Sequence, residues 1–342
     1  MRANKIKYLS PIRYLVVLSF FIILLILTLL ICPTIGPTKI SLSKAFDRNI
    51  PIKENSDYNI FIIRFSRVIL AIIVGGVLAS AGVVFQSLLK NPLASPYTLG
   101  ISGGASLGAV IAINLQLDFA IFGFSTLPIA AFLGSLVSIF FVYFLTRTRN
   151  YLSTAILLLA GVTANYFFSA IILFIQYKAQ FGQTIKMIRW MMGGLDVVNF
   201  EPIIKILPFV VIAFVLLFFQ SKKYNLLSLD RDTAISLGVN VERTQKLVFF
   251  AASLTTASVI SVSGPIGFVG LIIPHTLRLI IGSDHRLLFP SSFLFGGVFL
   301  AVCDTIARTI MSPDEIPVGV ITAMLGGPFF IYLLLSKKQN FM

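Results

Sequence analysis

The chain has 342 residues, 57% of them hydrophobic and only 12% charged. A water-soluble domain carries about 25% charged residues, so half that figure leaves too little polar side chain to cover a surface in water, and a soluble enzyme or soluble binding module is excluded. The formal net charge of +14 would suit a nucleic-acid partner. The Lys and Arg residues fall mostly in short linkers between apolar runs, however, where they set membrane orientation and meet lipid headgroups; no nucleic acid is expected, and membrane lipid is the natural surrounding.

In chain order the first apolar run, Tyr14 to Cys32, follows a basic head of Arg2, Lys5, Lys7 and Arg13. It is long for a signal peptide, lacks a small-x-small cleavage site behind it, and is echoed by similar runs as far as the C-terminus. A bilayer core of ~30 Å needs about 20 apolar residues in a helix. By that measure the sequence predicts about ten spans, at 14–32, 66–88, 97–115, 124–146, 154–175, 202–220, 245–263, 267–282, 289–308 and 316–335. Together they form one all-α, polytopic membrane domain over residues 1–342. The eighth span is short and contains Pro274, which predicts a broken or partly re-entrant segment.

An even number of spans puts both termini on one side. The N-terminal head, Arg147–Arg149, Lys222–Lys223, Arg231, Arg243, Lys246, Arg278–Arg286 and Lys337–Lys338 then fall together, and the positive-inside rule makes that side cytoplasmic. The bias is incomplete, since Lys39, Lys44, Arg48, Lys53, Lys178, Lys186 and Arg189 fall on the opposite side, and Arg64 and Arg67, opening the second span, and Arg308, closing the ninth, stand out there at the outer face. A single such residue reads as a snorkelling anchor; three at one level also suit an acidic partner outside.

The largest inner loop, about 221–244, carries Asp230 and Asp232 ahead of Ala234 and Leu237. That pattern predicts a short helix with acidic residues in its first turn, stopped by Gly238. Leu226, Leu229, Ala234 and Leu237 give it an apolar side, which suits either a cytosolic partner or the lipid surface. Gly and Ala clusters at 75–82, 100–108 and 326–327 predict close helix packing. Prolines at 92, 96, 265, 274, 317 and 328 predict broken helices. Cys32 and Cys303 read as packing residues.

Several chemistries are missing. The chain has no Walker A loop, no H-E-x-x-H and no Cys/His cluster, and its two histidines, His275 and His285, are too few and too separated for a metal site. Gly100-Ile-Ser102-Gly-Gly104 fits the G-x-S-x-G spacing, but that motif needs a strand-to-helix turn with His and acid partners, and here it opens an apolar span. Asp304 is the clearest ionisable residue inside a span. An ion-coupled carrier usually needs several, so energy is expected from a bound ATPase.

The sequence resembles the iron-siderophore and vitamin B12 permease family, the membrane subunits of type II ABC importers. The matching motifs run in one order from about residue 60 to 335. They are Arg64-Phe-Ser-Arg67, GGVLASAGVVFQ at 75–86, Asn91-Pro-Leu-Ala-Ser-Pro96, Leu99 to Ala105, Leu157 to Gly161, Trp190-Met-Met-Gly193 and Leu226 to Gly238, then Gly264 to His275 with Arg278, Asp284-His-Arg286, Asp304 to Arg308, and Glu315 to Pro328. The resemblance implies a multi-pass protein of a bacterial or archaeal cell membrane with ten transmembrane helices in the type II importer fold and both termini cytoplasmic. It implies a second permease subunit, identical or different, two cytosolic ABC ATPase subunits that bind the ATP and Mg, and an extracytoplasmic substrate-binding protein. No cofactor is implied for this chain. By the same resemblance Arg64, Arg67 and Arg308 receive acidic residues of the binding protein, and Leu226, Leu229, Asp230, Ala234, Leu237 and Gly238, within coupling helices at about 225–241, sit on the ATPase. Ser153, Thr154 and Ala155 match the cytoplasmic gate, and Asn91 and Leu93 a second inner constriction. Two positions depart from the pattern: Ala155 stands where a second hydroxyl is found, and Asp230 where glycine is usual. A ferric siderophore is the implied cargo, with haem, cobalamin and molybdate as alternatives. A secondary carrier or a membrane enzyme is the competing class, and neither has the polar cluster it needs.

Overall fold

The computed structural model describes residues 10–47, 50–52, 54–121, 124–146, 154–228 and 231–338. The chain is almost wholly helical. Helix α1 (Pro11–Ile31) ends in a 3-10 turn, Cys32–Thr34, and a short α2 (Leu42–Ala45) leads to the long α3 (Ser56–Leu88). Then come α4 (Ile101–Asn114), a two-residue hairpin β1 (Ala120–Ile121) and β2 (Phe124–Ser125), α5 (Thr126–Thr146), α6 (Thr154–Lys178), α7 (Phe181–Met191) and α8 (Glu201–Phe219). The second half holds α9 (Ser221–Leu227), α10 (Arg231–Ser236), α11 (Val241–Ser263), α12 (Val269–Ile281), α13 (His285–Thr309) and α14 (Val318–Lys338).

Among the described residues seven helices are long and apolar enough to cross a membrane, and α4, α12 and α14 are shorter apolar helices. Together they match the ten predicted spans. Their alternation is fixed by contacts at each end. Arg13 at the start of α1 donates to the Ile281 carbonyl at the end of α12 (2.7 Å). At the opposite end, the Gly194 N–H donates to Ser263 O (2.8 Å) and the Gly319 N–H to Gly193 O (3.2 Å). We call the first of these the basic end, after its Lys and Arg residues, and the second the far end.

The central element is α3. Its apolar positions are buried on all sides, the mark of a helix enclosed by other helices, whereas α1 and α8 leave many large apolar residues outward, where lipid would meet them. Packing of α3 on α13 runs through glycine. A Cβ placed on Gly75 would lie 2.3 Å from Gly296 O, and one on Gly296 would lie 2.5 Å from Gly75 O. Only the bare backbone fits. Apolar burial adds little between helices in lipid, so close van der Waals approach of this kind carries the association.

The structure moves several predicted boundaries. Asn55 caps α3 by accepting from Tyr58 N (3.0 Å), so this helix starts at Ser56 and not at 66. Arg64 and Arg67 therefore lie about two and three turns inside it, beyond reach of the N-terminal dipole, which fades within the first turn. The third span, expected at 97–115, is helical only from Ile101. It and α12 are about 20 Å long and begin inside the molecule. Gly270, in the first turn of α12, lies against the backbone of Leu78 and Gly82 on α3. Gly100, ahead of α4, takes a left-handed φ of 80° and offers its carbonyl to Ser138 Oγ (2.7 Å).

Filling the glycine contact should separate α3 from α13. Gly296→Val is expected to lower the thermal unfolding midpoint in detergent, with a loss of about 1–3 kcal/mol typical of overpacking. Gly327→Ala, where a Cβ would meet no atom within 4 Å, should leave the midpoint unchanged.

Candidate functional site

Three groups of residues along the membrane normal carry the polar chemistry. The first is a recess of about 520 Å³ that opens on the outside of the chain, where the irregular link 89–100 meets α4 and α6. It is lined by Tyr97, Ser102, Ser106, Asn165 and Ser169, with Met191 of α7 and Pro265 at its edge. Asn165 Nδ2 donates to Tyr97 O (2.7 Å), tying the link to α6. The lining offers hydroxyls and amides and no formal charge. Ser102 is enclosed among helices at the start of α4, with no strand-to-helix turn around it, so the G-x-S-x-G match is a helix start and not a nucleophile elbow.

The second group lies at the basic end. Asn91 accepts from Leu93 N (2.9 Å) in a tight turn after α3, and the Leu93 side chain is half exposed. Thr154 opens α6 with Ala155 exposed behind it, while Ser153 lies outside the described residues. The inner loop forms two short helices, α9 and α10, where the sequence predicted one. Leu229 and Asp230 also fall outside the described residues; Asp232 occupies the first turn of α10, and Gly238 ends it at φ 82°. Ala234 is 1% exposed, packed in a small cluster with Leu226, Leu227, Val239 and Val241. The outward apolar surface is carried by Ile235 and Leu237, 51% and 56% exposed.

This loop is fastened to the helical core by Tyr224 and Asn225, two residues not singled out by the sequence reading. Tyr224 O accepts from Ser87 Oγ at the end of α3 (3.2 Å), and Tyr224 Oη donates to Leu217 O (2.8 Å). Asn225 Nδ2 donates to Asp284 Oδ1 (3.0 Å), and Asn225 Oδ1 accepts from His285 N (3.0 Å). Asp284 also caps α13 and pairs with Arg286 (2.6 Å). Partial burial pushes the Asp284 carboxyl up, but hydrogen bonds from Arg286 and Asn225 outweigh it and hold the group at about 2.

The third group is an ion cluster at the far end. Asp304, 0% exposed on α13, accepts from Arg67 Nε at 2.9 and 3.1 Å, and Arg308 Nε lies 3.2 Å from its other side. Arg67 Nη1 also reaches Glu315 (2.6 Å) and approaches Asp196 (3.7 Å). Arg308 and Arg64, 2% and 5% exposed, donate to the carbonyls of Cys32 (3.3 Å) and Thr38 (2.7 Å) in the turn after α1. The arginines expected at an open outer rim are thus enclosed. For Arg67 and Arg308 an anionic offset is supplied within the chain by Asp304 and Glu315; Arg64 forms no ion pair among the described residues and leaves one guanidinium nitrogen without a partner. Arg189 and Asp196 form the exposed margin of the cluster. Sequence reading also missed α7. Its one local signal is Gln183 Oε1 accepting from Gln180 N (3.0 Å), half of a capping box.

Ten apolar crossings, two of them half-length helices starting beside an uncharged recess, define a multi-pass permease. The FecCD transport family matches residues 23–336, and the chain belongs to that family, whose members are membrane subunits of ABC importers. It is 39% identical to the cobalamin import system permease protein BtuC of Halobacterium salinarum over 84% of this chain and 76% of that one. It is 34% identical to the hemin transport system permease protein HmuU of Yersinia pestis over 94% and 96%. Among solved structures, an inward-facing metal-chelate type ABC transporter superimposes with a TM-score of 0.81 at 30% identity, covering 94% of this chain and 99% of that one.

Asp304 holds two buried cations together, so its removal leaves them uncompensated. Asp304→Leu is expected to cost about 3–5 kcal/mol, read as a lowered unfolding midpoint. The triple change Arg67→Met, Asp304→Leu, Arg308→Met should recover most of that loss. Equal midpoints for wild type and Asp304→Leu would show that the cluster contributes nothing to stability.

Proposed function

We propose that the chain imports a ferric chelate, with a siderophore as the leading cargo, and that ATP hydrolysis on separate cytosolic subunits drives the step. The uncharged recess carries this reading. A lining of hydroxyl and amide groups can pass a bulky chelate without trapping it by ionic bonds, which leaves tight binding to an external protein. The nearly full-length similarity to a hemin permease supports iron among the cargoes, while the cobalamin relative keeps the second reading in view.

In this reading the basic end is cytoplasmic, as the excess of Lys and Arg there favours. Two permease subunits enclose the pathway, with Asn91, Leu93, Ser153, Thr154 and Ala155 near its inner gate. Arg64, Arg67 and Arg308 take part in docking by exchange: an arriving acidic side chain competes with Glu315, the more exposed carboxylate of the two that grip Arg67. ATPase contact falls to Ile235 and Leu237, the residues whose side chains face outward, while Ala234 supports them from within.

Reconstitution in proteoliposomes with a cognate ATPase and binding protein tests the cargo. Uptake of ferric hydroxamate or catecholate chelates should require both partners and ATP. Uptake of cobalamin or molybdate with no iron chelate transported would overturn the iron reading, and uptake driven by an ion gradient alone would overturn the ABC mechanism. The coupling assignment has its own check. Leu237→Glu should leave the folded permease intact and abolish co-purification of the ATPase. Ala234→Glu should lower permease stability itself, because an unpaired buried charge costs several kcal/mol. The reverse pattern would return the contact to Ala234.

A further inference from the structure

Helices α5 and α8 both pack on α11, and between them a groove follows α11 along the outside of the molecule. Its half toward the basic end encloses about 810 Å³ and is lined by Ile212, Leu216, Leu247, Phe250 and Leu254, among others. Its half toward the far end encloses about 440 Å³. Phe132 and Phe209 line both halves, so the two are continuous. The walls are apolar and face outward: Phe209, Ile212 and Leu254 are 57%, 67% and 41% exposed. One wall is stiffened by aromatic contacts, with Phe250 lying 4.9 Å from Tyr143 and 5.9 Å from Phe140 between ring centroids.

In the half toward the basic end, charge is confined to its mouth, which holds Asn240, Glu242, Arg243 and Lys246; the other half carries the Glu201–Lys205 pair at its far end. Lys246 pairs with Glu242. Arg243 is exposed, and among the described residues no carboxylate pairs with it. The mouth therefore carries a surplus positive charge directly above an apolar cleft. The length fits as well. From Asn240 to Thr255, the limits of this half on the α11 side, the helix rises about 22 Å. Half of a bilayer with its headgroup region is about 20–22 Å.

We propose that this half of the groove is a binding site for one anionic glycerophospholipid from the leaflet at the basic end. Its phosphodiester lies against Arg243 and Lys246, and its acyl chains run along Leu247, Phe250 and Leu254 to the constriction at Phe132 and Phe209. Basic pockets between transmembrane helices recognise anionic headgroups in this way. The apolar cleft alone would take any lipid tail; the surplus charge at its mouth selects the head. The site shares no residue with the recess or the ion cluster; its mouth begins where the inner loop runs into α11, so the test reads lipid binding and not transport.

The test uses the full chain, purified and delipidated in detergent, and titrated with phosphatidylglycerol or phosphatidylcholine of identical acyl chains under native mass spectrometry. One equivalent of phosphatidylglycerol should bind about fivefold tighter than phosphatidylcholine, the factor expected for one uncompensated basic residue. Arg243→Gln, which leaves only the neutral Lys246–Glu242 pair at the mouth, should bring the two lipids level, and Leu254→Trp, which fills the cleft, should weaken both. Both changes lie on the outer surface, and a matching elution volume and helix content confirm the fold. Equal affinities in wild type, or a preference that survives Arg243→Gln, would overturn the proposal. So would rapid disulfide cross-linking of Ile212→Cys between two copies in native membranes, which would make the groove an interface between proteins.

Discussion

The bare-backbone contact between α3 and α13 is the constraint on which the rest of this molecule depends. Lipid tails are as apolar as the side chains they replace, so helices gain little by hiding from them. What remains is close approach, and the glycines at 75 and 296 permit it where any side chain would clash. With α3 and α13 locked, α11 and α12 pack on the other sides of α3, and the outer helices are free to face lipid. The Arg67–Asp304 pair joins the same two helices again nearer the far end, with Glu315 and Arg308 completing the cluster.

A second consequence follows from backbone chemistry. Inside a membrane every peptide group needs a partner, and irregular chain survives only where protein encloses it. Residues 94–100, the inner part of the link after α3, and link 264–268 meet that condition, being buried or half-buried. Side-chain amides supply part of what the missing helical turns would have given: Asn165 serves Tyr97 O, and Gln86 reaches Gly270 O (3.3 Å). One of these groups, Asn165, also lines the recess. A permease can thus obtain an uncharged, hydrogen-bonding lining from the same groups that hold its broken helices in place.

Much of this was legible in the sequence, because the membrane imposes a length and a hydropathy that a single chain must display. All ten crossings were visible as apolar runs, and Pro274 marked the short eighth one. The start of α3 was not visible, since its first two turns mix Asp57, Asn59 and aromatic residues and look like a loop when judged by hydropathy. The three arginines were visible, but their surroundings were not. That Asp304 and Glu315 meet Arg67 depends on packing between segments some 240 residues apart. The burial of Ala234 was hidden for a related reason. An apolar residue on a short helix has two possible neighbours, its own chain or another, and only the fold decides between them.

The length of α3 has a mechanical meaning. Its 33 residues run about 50 Å, well past the ~30 Å hydrocarbon core, with no proline to interrupt them, whereas α8, α12, α13 and α14 each contain one. One end is fastened through Ser87 to the loop that carries Leu237, and Arg67, about three turns in from the other end, ties the helix to the ion cluster. A rod without a hinge cannot absorb displacement along its length. A shift imposed at either membrane surface arrives at the other as tilt or translation of the whole bar, with the half-length helices beside it left to accommodate the movement.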